Sequence, residues 1–265
     1  MENIYYVCAA VIFGVLGLCI GSFLNVVIYR LPRGMNLAKP ASHCPHCEHK
    51  LAWKDNIPLF SFIFLGGKCR YCKTRIPLRY FFVELFNCLC ALAAFFLFYR
   101  ENPFYAATAA LAISVMICMG FCDKDNLFIP DSLQIALGLL GIAALFFDPT
   151  TVWWEHLIGL AVGGGFYLLF YVGSLLILKR EGLGFGDVKL MAAMGLFLGW
   201  KKIALVILLG TIFALVCILI FNARSKRGED AEPKEYPLAP YLTVAGIAVL
   251  LFGNYILSAY MSLFI

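Results

Sequence analysis

Long apolar runs separated by short polar stretches are the main pattern along this chain. The mainly apolar runs cover residues 4–28, 80–99, 104–122, 132–147, 157–178, 187–200, 203–221 and 238–263. A helix that crosses a bilayer needs about 20 mainly apolar residues, and most of the runs reach or approach that length. The pattern therefore predicts an all-α membrane protein, a polytopic bundle of about eight transmembrane helices in the lipid bilayer.

The composition supports this prediction. Of the 265 residues, 62% are hydrophobic and 14% are charged, whereas soluble domains average roughly 45–50% apolar and 25% charged residues. These values exclude an ordinary water-soluble globule. No basic residue precedes the first run, which is about twice as long as the apolar core of a signal peptide. We therefore expect this run to be a retained first span.

The basic residues are unevenly placed and predict how the chain is oriented. The net charge is +5, and ten of the 21 Lys and Arg residues lie between Arg30 and Arg79. Because basic residues near span ends favour the cytoplasmic side, this segment should be cytoplasmic, and eight crossings then place both termini outside. Only Arg100, Lys201 and Lys202 fall on the outer side. Membrane orientation accounts for the basic excess, so no nucleic-acid partner is expected.

Three segments are predicted: a first transmembrane span at 1–30, a cytoplasmic insert at 31–79 and a membrane core at 80–265 that contains a charged linker at 222–237. The insert is too short to bury a sufficient core, and chains of that size usually need a metal, disulfides or a partner surface. The glycines at 163–165 lie within an apolar run, where small residues allow helices to pack closely.

A cysteine quartet in the insert predicts a metal site. Cys44, Cys47, Cys69 and Cys72 form the pattern C-x2-C-x21-C-x2-C, which is typical of a closed structural Zn²⁺ site. Each pair should lie in a knuckle-like turn, giving a small zinc-ribbon-like insert. A reducing cytoplasm disfavours disulfides, whereas a four-thiolate iron site stays open as an alternative. We expect the neighbouring histidines to be solvated: His43, His46 and His49.

Two aspartates at predicted span ends are the main candidates for chemistry, since acidic residues in or beside spans are costly. By the predicted topology, Asp123 and Asp187 both fall at the cytoplasmic membrane boundary and can meet in the bundle. Two facing carboxylates in a low-dielectric site cannot both ionise easily, so one holds a proton while the other accepts one from water. Such a pair can hydrolyse a peptide bond. Gly184 and Gly186, which lack a Cβ, would let a substrate backbone come close.

The other charged residues near the spans have plainer interpretations. Asp131 is expected to cap a helix, Asp125 to be a solvated loop charge, and Glu155 to lie in an outer loop. Lys189 either stabilises an ionised Asp187 or extends to the interface.

Two other classes of protein remain open on these residues alone. A transporter would use buried carboxylates as proton or cation sites, although such sites are expected near the membrane midplane. A membrane scaffold would dock a cytoplasmic partner through the four-cysteine insert and would need neither aspartate.

Several motifs together resemble one family. They are 21–32 (GSFLNVVIYRLP), 56–58 (NIP), Asp123 followed by 129–131 (IPD), 184–190 (GFGDVKL) and 237–240 (PLAP). In this order, with both Cys pairs, they resemble the bifunctional type IV prepilin leader peptidases, which are membrane aspartic proteases with a Gly-x-Gly-Asp motif.

The resemblance implies that Asp123 and Asp187 are the catalytic pair. It also implies that the substrates are type IV prepilins or pseudopilins, whose leader is cut after a Gly at the cytoplasmic face of a bacterial inner membrane. The family's second activity is methylation of the new N-terminal residue with S-adenosylmethionine as the donor. By similarity, four residues in and beside the insert would serve that step: Gly67, Lys68, Arg79 and Glu84. A leader peptidase without methyltransferase activity remains the alternative.

Overall fold

The chain is almost entirely helical wherever it is described. The structure, a computed structural model, describes residues 2–179, 182–224 and 236–263, so residues 225–235 of the predicted linker lie outside the described ones. Within these ranges the α-helices are α1 Glu2–Arg30, α2 Phe60–Phe64, α3 Leu78–Phe98, α4 Pro103–Asn126, α5 Asp131–Phe147, α6 Trp153–Leu178, α7 Phe185–Leu198, α8 Trp200–Arg224 and α9 Ala239–Ser262. The same ranges contain no β-strand, only two isolated bridges in the insert.

Each predicted apolar run corresponds to one helix. Six of the described helices are long and apolar enough to cross a membrane: α1, α3, α4, α6, α8 and α9. The other two, α5 and α7, are shorter, with 17 and 14 residues. The prediction of an all-α membrane bundle with a four-cysteine insert is confirmed.

Local sequence signals set several helix ends. The side-chain oxygen of Asn102 accepts hydrogen bonds from the N–H groups of Phe104 and Tyr105, which satisfies two amides at the start of α4. Between α7 and α8, Gly199 has φ +79, a left-handed conformation that glycine adopts without steric cost. The 187–200 run is therefore separated from the 203–221 run by a defined break.

The chain divides into two compact units, Met1–Ser114 and Val115–Ile265. In the first unit, α1 and α3 are joined by polar side chains within apolar helices. The Asn87 amide donates to the backbone oxygen of Gly17 over 2.8 Å and accepts the hydroxyl of Ser114 over 2.8 Å. The backbones of α1 and α3 come close together at Gly21, because a Cβ there would lie 2.8 Å from the Cα of Glu84.

In the second unit, α6 and α7 pack through glycines. A Cβ on Gly159 would collide with the carbonyl oxygen of Gly195, and one on Gly163 with that of Met191. The glycine run therefore serves close packing, as predicted, although Gly165 has nothing within 4 Å of its Cβ position. This packing fixes α7, whose first turn carries Asp187.

Several expectations about charged residues need correction. Asp125 lies in the last turn of α4 instead of a loop, although it is exposed as expected. Glu155 lies in the first turn of α6 instead of a loop, and its buried carboxylate pairs with Lys201 over 2.7 Å. Asp131 opens α5 but does not cap it, because the capping position is held by Pro130. Its carboxylate instead pairs with Lys189 over 2.8 Å, so the charge partner of Lys189 is not Asp187.

Candidate functional site

The four insert cysteines form a compact cluster. Their Sγ atoms all lie within 4.8 Å of one another, and those of Cys44 and Cys72 are 3.8 Å apart. Zn–S bonds of about 2.3 Å in a tetrahedron place the sulfurs roughly 3.8 Å apart. All four cysteines are free thiols. The sulfurs are thus placed where one metal ion could bind them all.

Both Cys pairs lie in the same kind of turn. The N–H of Glu48 donates to the Cys44 carbonyl over 2.8 Å, and that of Lys73 donates to the Cys69 carbonyl over 3.1 Å. Glu48 and Lys73 follow the second cysteine of each pair and have φ values of 57 and 61. The predicted knuckle geometry is therefore present twice.

Contacts around the cluster favour a thiolate at Cys72 and hold the two turns together. Hydrogen bonds from the hydroxyl and backbone amide of Thr74 lower the pKa of Cys72 to about 6, and the thiolate is the form that binds metal. The rings of His49 and Tyr71 lie 3.6 Å apart between centroids. His46 and His49 are exposed, as expected, and His43 is half-buried.

Asp123 lies in the last turn of α4 and is buried, with 8% of its surface exposed. Its Oδ2 accepts a hydrogen bond over 3.0 Å from the N–H of Ala239, the first residue of α9. The amino end of a helix stabilises a negative charge. Gly120 helps this arrangement, because a Cβ there would lie 2.5 Å from the hydroxyl oxygen of Thr243 on α9. The 237–240 motif thus contributes an amide that holds Asp123.

Asp187 lies in the first turn of α7, and it is also 8% exposed. Its N–H donates to the carbonyl oxygen of Gly184 over 3.0 Å. Its buried Oδ1 has no hydrogen-bond partner among the described residues. The carboxyl groups of Asp123 and Asp187 are close enough to interact electrostatically. The structure therefore brings the two predicted aspartates together.

The glycines before Asp187 have room for a side chain. A Cβ on Gly184 would lie 3.5 Å from its nearest neighbour, Oδ2 of Asp187, and one on Gly186 would lie 3.7 Å from Ile129. These are ordinary contact distances, and neither glycine has a positive φ. The fold itself thus does not require glycine at either position.

Two side chains beside the aspartates were not predicted from the sequence. The Gln134 amide on α5 donates to the carbonyl oxygen of Gly186 over 3.3 Å and thereby supports the backbone next to Asp187. Tyr167 on α6 is 3% exposed, its hydroxyl has no partner among the described residues, and it interacts electrostatically with Asp187. A glutamine in an apolar run is a detectable signal, but a tyrosine in such a run is common.

The residues implied for methylation occupy different places in the first unit. Gly67 has φ +66, and its Cβ position is 3.0 Å from the Phe62 ring, so the local backbone favours glycine there. The backbone of Lys68 forms an antiparallel β-bridge with that of Arg75 across the second Cys turn. Arg79 lies in the first turn of α3.

Glu84 on α3 is buried and connects three elements. Its carboxylate accepts the N–H of Leu59 over 2.8 Å and a hydrogen bond from the hydroxyl of Ser22 on α1. Leu59 follows the 56–58 motif and has φ +58. Glu84 therefore fixes the loop after Pro58 against α1.

A cavity of about 370 Å³ lies between α1 and the insert. Its lining includes Ser22, Phe23 and Arg30 from α1, Ala41 from the segment before the first Cys turn, and Asn56. Arg30 is only 6% exposed. No sequence pattern indicated this cavity, because its walls are far apart along the chain.

Two protein-family models together match most of the chain. A model of the bacterial peptidase A24 N-terminal domain matches residues 15–98, and one of the type IV leader peptidase family matches residues 110–219. No solved structure matches the chain.

Curated relatives match over most of their length. A prepilin leader peptidase/N-methyltransferase of Stutzerimonas stutzeri is 34% identical, covering 93% of this chain and 92% of that protein. Proteins of the same description from Myxococcus xanthus and Pseudomonas aeruginosa are 37% and 33% identical. These alignments cover 89% and 93% of this chain and 71% and 91% of the two relatives.

Proposed function

The chain belongs to the type IV leader peptidase family, and from this premise we propose that it cleaves the leader peptide of type IV prepilins or pseudopilins and then N-methylates the new N-terminal residue. It is a multi-pass inner-membrane protein with six described helices long enough to span. The observation that carries the proposal is the match to bifunctional relatives along nearly the whole chain.

We assign leader cleavage to Asp123 and Asp187. The amide of Ala239 at the start of α9 favours a negative charge on Asp123, so Asp123 is the general base. Asp187, whose Oδ1 has no partner among the described residues, holds the proton. Gly184 and Gly186 leave space beside Asp187 that the fold does not need, which supports their role in admitting a substrate backbone.

The hydrolysis needs only these two carboxyl groups and a water molecule. Asp123 takes a proton from water, whose oxygen bonds to the scissile carbonyl carbon while Asp187 gives its proton to the carbonyl oxygen. The tetrahedral intermediate then collapses: the C–N bond breaks, the leaving amine takes the proton from Asp123, and Asp187 recovers a proton from the former carbonyl oxygen. No covalent intermediate with the enzyme forms.

The cysteine cluster has the donor set and spacing of a structural zinc site, so Cys44, Cys47, Cys69 and Cys72 would hold Zn²⁺ and stabilise the insert. When bound, S-adenosylmethionine would supply the methyl group that the new N-terminal amine receives. Both the insert and the leader-cleavage site would face the cytoplasm.

Purified full-length protein and a prepilin test the cleavage step. Asp123→Asn and Asp187→Asn should each abolish cleavage, whereas Asp125→Asn, an exposed neighbour in the last turn of α4, should cleave normally. Cleavage at the wild-type rate by either of the first two variants would show that the pair is wrongly assigned. A transporter would show ion flux that depends on the same aspartates and no cleavage.

Mass spectrometry of the pilin N-terminus tests both activities together. In cells that contain this protein, the mature N-terminus should lack the leader and carry one additional methyl group. A trimmed but unmethylated N-terminus would indicate a leader peptidase without methyltransferase activity. A pilin that keeps its leader would contradict the proposed function.

A further inference from the structure

Arg30 is a buried cation in the last turn of α1. It is 6% exposed, and no described carboxylate forms an ion pair with it. One of its terminal nitrogens, Nη1, donates to the backbone oxygens of Asn36 and Leu37, each over 3.2 Å. Its Nε and Nη2 donate to no group within the described part of the chain. Because a buried charge is costly unless it is paired, this guanidinium indicates an anionic ligand.

The cavity beside Arg30 is of a size to hold that ligand. Its volume of about 370 Å³ falls within the roughly 300–1,000 Å³ of small-molecule pockets. A guanidinium whose remaining N–H groups point in fixed directions is suited to a carboxylate or a phosphate. The two hydrogen bonds from Nη1 to backbone carbonyls hold the guanidinium group in place before any ligand binds.

The other walls suit a ligand with an aromatic base and polar groups. Phe23 exposes an aromatic ring, and Ser22 and Asn56 bring a hydroxyl and an amide to the lining. Ser22 is itself held by Glu84, which is one of the residues implied for methylation. That contact connects the cavity to the methylation step.

We propose that this cavity binds S-adenosylmethionine, with Arg30 pairing with the carboxylate of the donor's amino-acid portion. The inference rests on the proposed methyltransferase function and adds to it a binding site that includes none of Gly67, Lys68 and Arg79.

The direct test is equilibrium binding of S-adenosylmethionine to the full-length protein in lipid nanodiscs, measured by calorimetry. Arg30→Gln should weaken binding about tenfold to a hundredfold, since hydrogen bonds to charged groups contribute roughly that much. Arg33→Gln is the matched control, because Arg33 is exposed, lies three residues away and interacts with the Tyr29 backbone and ring. It should bind like the wild type.

Decarboxylated S-adenosylmethionine separates a direct contact from a structural role. The wild type should bind it at least tenfold more weakly than the intact donor, whereas Arg30→Gln should bind both with similar affinity. If Arg30→Gln weakens both ligands equally and keeps the wild-type preference, Arg30 does not bind the carboxylate and the proposal is wrong.

A second variant covers the case in which Arg30→Gln does not fold, as the loss of two carbonyl contacts could cause. Ala41→Phe places a bulky ring at the cavity lining, leaves Arg30 unchanged in sequence and should abolish binding. If Ala41→Phe binds the donor like the wild type, the cavity is not the site.

Failure of this inference is distinguishable from failure of the proposed function. A wild type that binds the donor and methylates pilin, with Arg30→Gln and Ala41→Phe unaffected, overturns the cavity assignment alone. A wild type that neither binds the donor nor methylates pilin overturns the methyltransferase function. If Arg30→Gln loses a co-purifying phospholipid and keeps donor affinity, the anion is a lipid phosphate and the assignment is also overturned.

Discussion

At the residue scale, the two aspartates differ in their hydrogen-bond partners. Asp123 accepts an amide N–H from α9, whereas Asp187 keeps a buried oxygen without a partner among the described residues. The backbone beside Asp187 is held by the Gln134 amide through Gly186. One carboxylate is therefore fixed directly and the other through its backbone, which leaves the unpartnered oxygen available to a substrate.

The Tyr167 hydroxyl gives a prediction at this scale. Because it is buried without a partner among the described residues, Tyr167→Phe should leave the thermal stability unchanged or slightly higher. If the hydroxyl donates to the substrate or water beside Asp187, the same change should lower kcat for leader cleavage about tenfold, since 1.4 kcal/mol of lost stabilisation has that effect. Cleavage kinetics and thermal unfolding in detergent measure the two quantities.

Tyr171→Phe is the matched control for Tyr167. Tyr171 lies one turn further along α6 and stacks on Phe185, with no side-chain hydrogen bond to a described residue. Its variant should cleave like the wild type. Equal kcat for Tyr167→Phe and wild type would show that the hydroxyl has no part in the reaction.

At the scale of elements, close backbone contact between α6 and α7 holds Asp187 in place. Gly195→Ala should be destabilising by about 1–3 kcal/mol, which is typical of overpacking, because its Cβ would collide with the carbonyl group of Gly159. Leader cleavage should fall as well, since α7 carries Asp187. Denaturation of the purified protein in mixed micelles measures the stability.

Gly165→Ala is the control on the same pair of helices. Its Cβ would meet nothing within 4 Å, so both stability and cleavage should stay near wild type. If Gly195→Ala and Gly165→Ala prove equally stable, close α6–α7 packing does not limit the stability of the second unit.

The insert gives a second prediction at the element scale. Elemental analysis should find one zinc per wild-type chain, and the double variant Cys44→Ser with Cys72→Ser should lose it. Because metal binding supplies folding free energy to such small segments, the double variant should also be cut by protease in the 31–79 segment at much lower protease concentrations than the wild type.

Cys8→Ser controls for removal of a thiol as such. Cys8 is exposed on α1 and takes no part in the cluster, so its variant should keep both the zinc and the protease resistance. If the wild type contains iron instead of zinc, the site is a four-thiolate iron site. A wild type without any bound metal would contradict the proposed metal site.

For the whole molecule, the sequence predicts the helices well and their contacts poorly. Every apolar run became a helix because burial in lipid requires the backbone to satisfy its own hydrogen bonds. The cysteine cluster was predictable because its spacing is local. The pairing of Asp123 with Ala239, the ion pair of Asp131 with Lys189 and the cavity beside Arg30 all join distant parts of the chain. These contacts depend on helix packing that no short pattern encodes.

The proximity of Asp123 and Asp187 also constrains how often the chain crosses the membrane. Asp123 lies at the end of α4 and Asp187 at the start of α7, with α5 and α6 between them. The two carboxyl groups can share one side only if both intervening helices cross, or neither does. Since α6 is long and apolar enough to span, α5 must cross too, although its 17 residues extend only about 26 Å against a hydrocarbon core of about 30 Å.

The location of the loop between α5 and α6 shows whether α5 crosses the membrane. If α5 crosses, Thr150 in that loop lies outside, and Thr150→Cys should react with a membrane-impermeant maleimide added to intact cells. Glu101→Cys, between α3 and α4, should react in the same way, and Lys54→Cys in the insert should react only after the cells are opened. The unmodified chain gives the background from its native cysteines. Protection of Thr150→Cys in intact cells together with labelling in opened cells would leave α5 on the inner side. Because α6 is long and apolar enough to span, Asp187 would then lie across the membrane from Asp123, and the shared catalytic site would have to be abandoned.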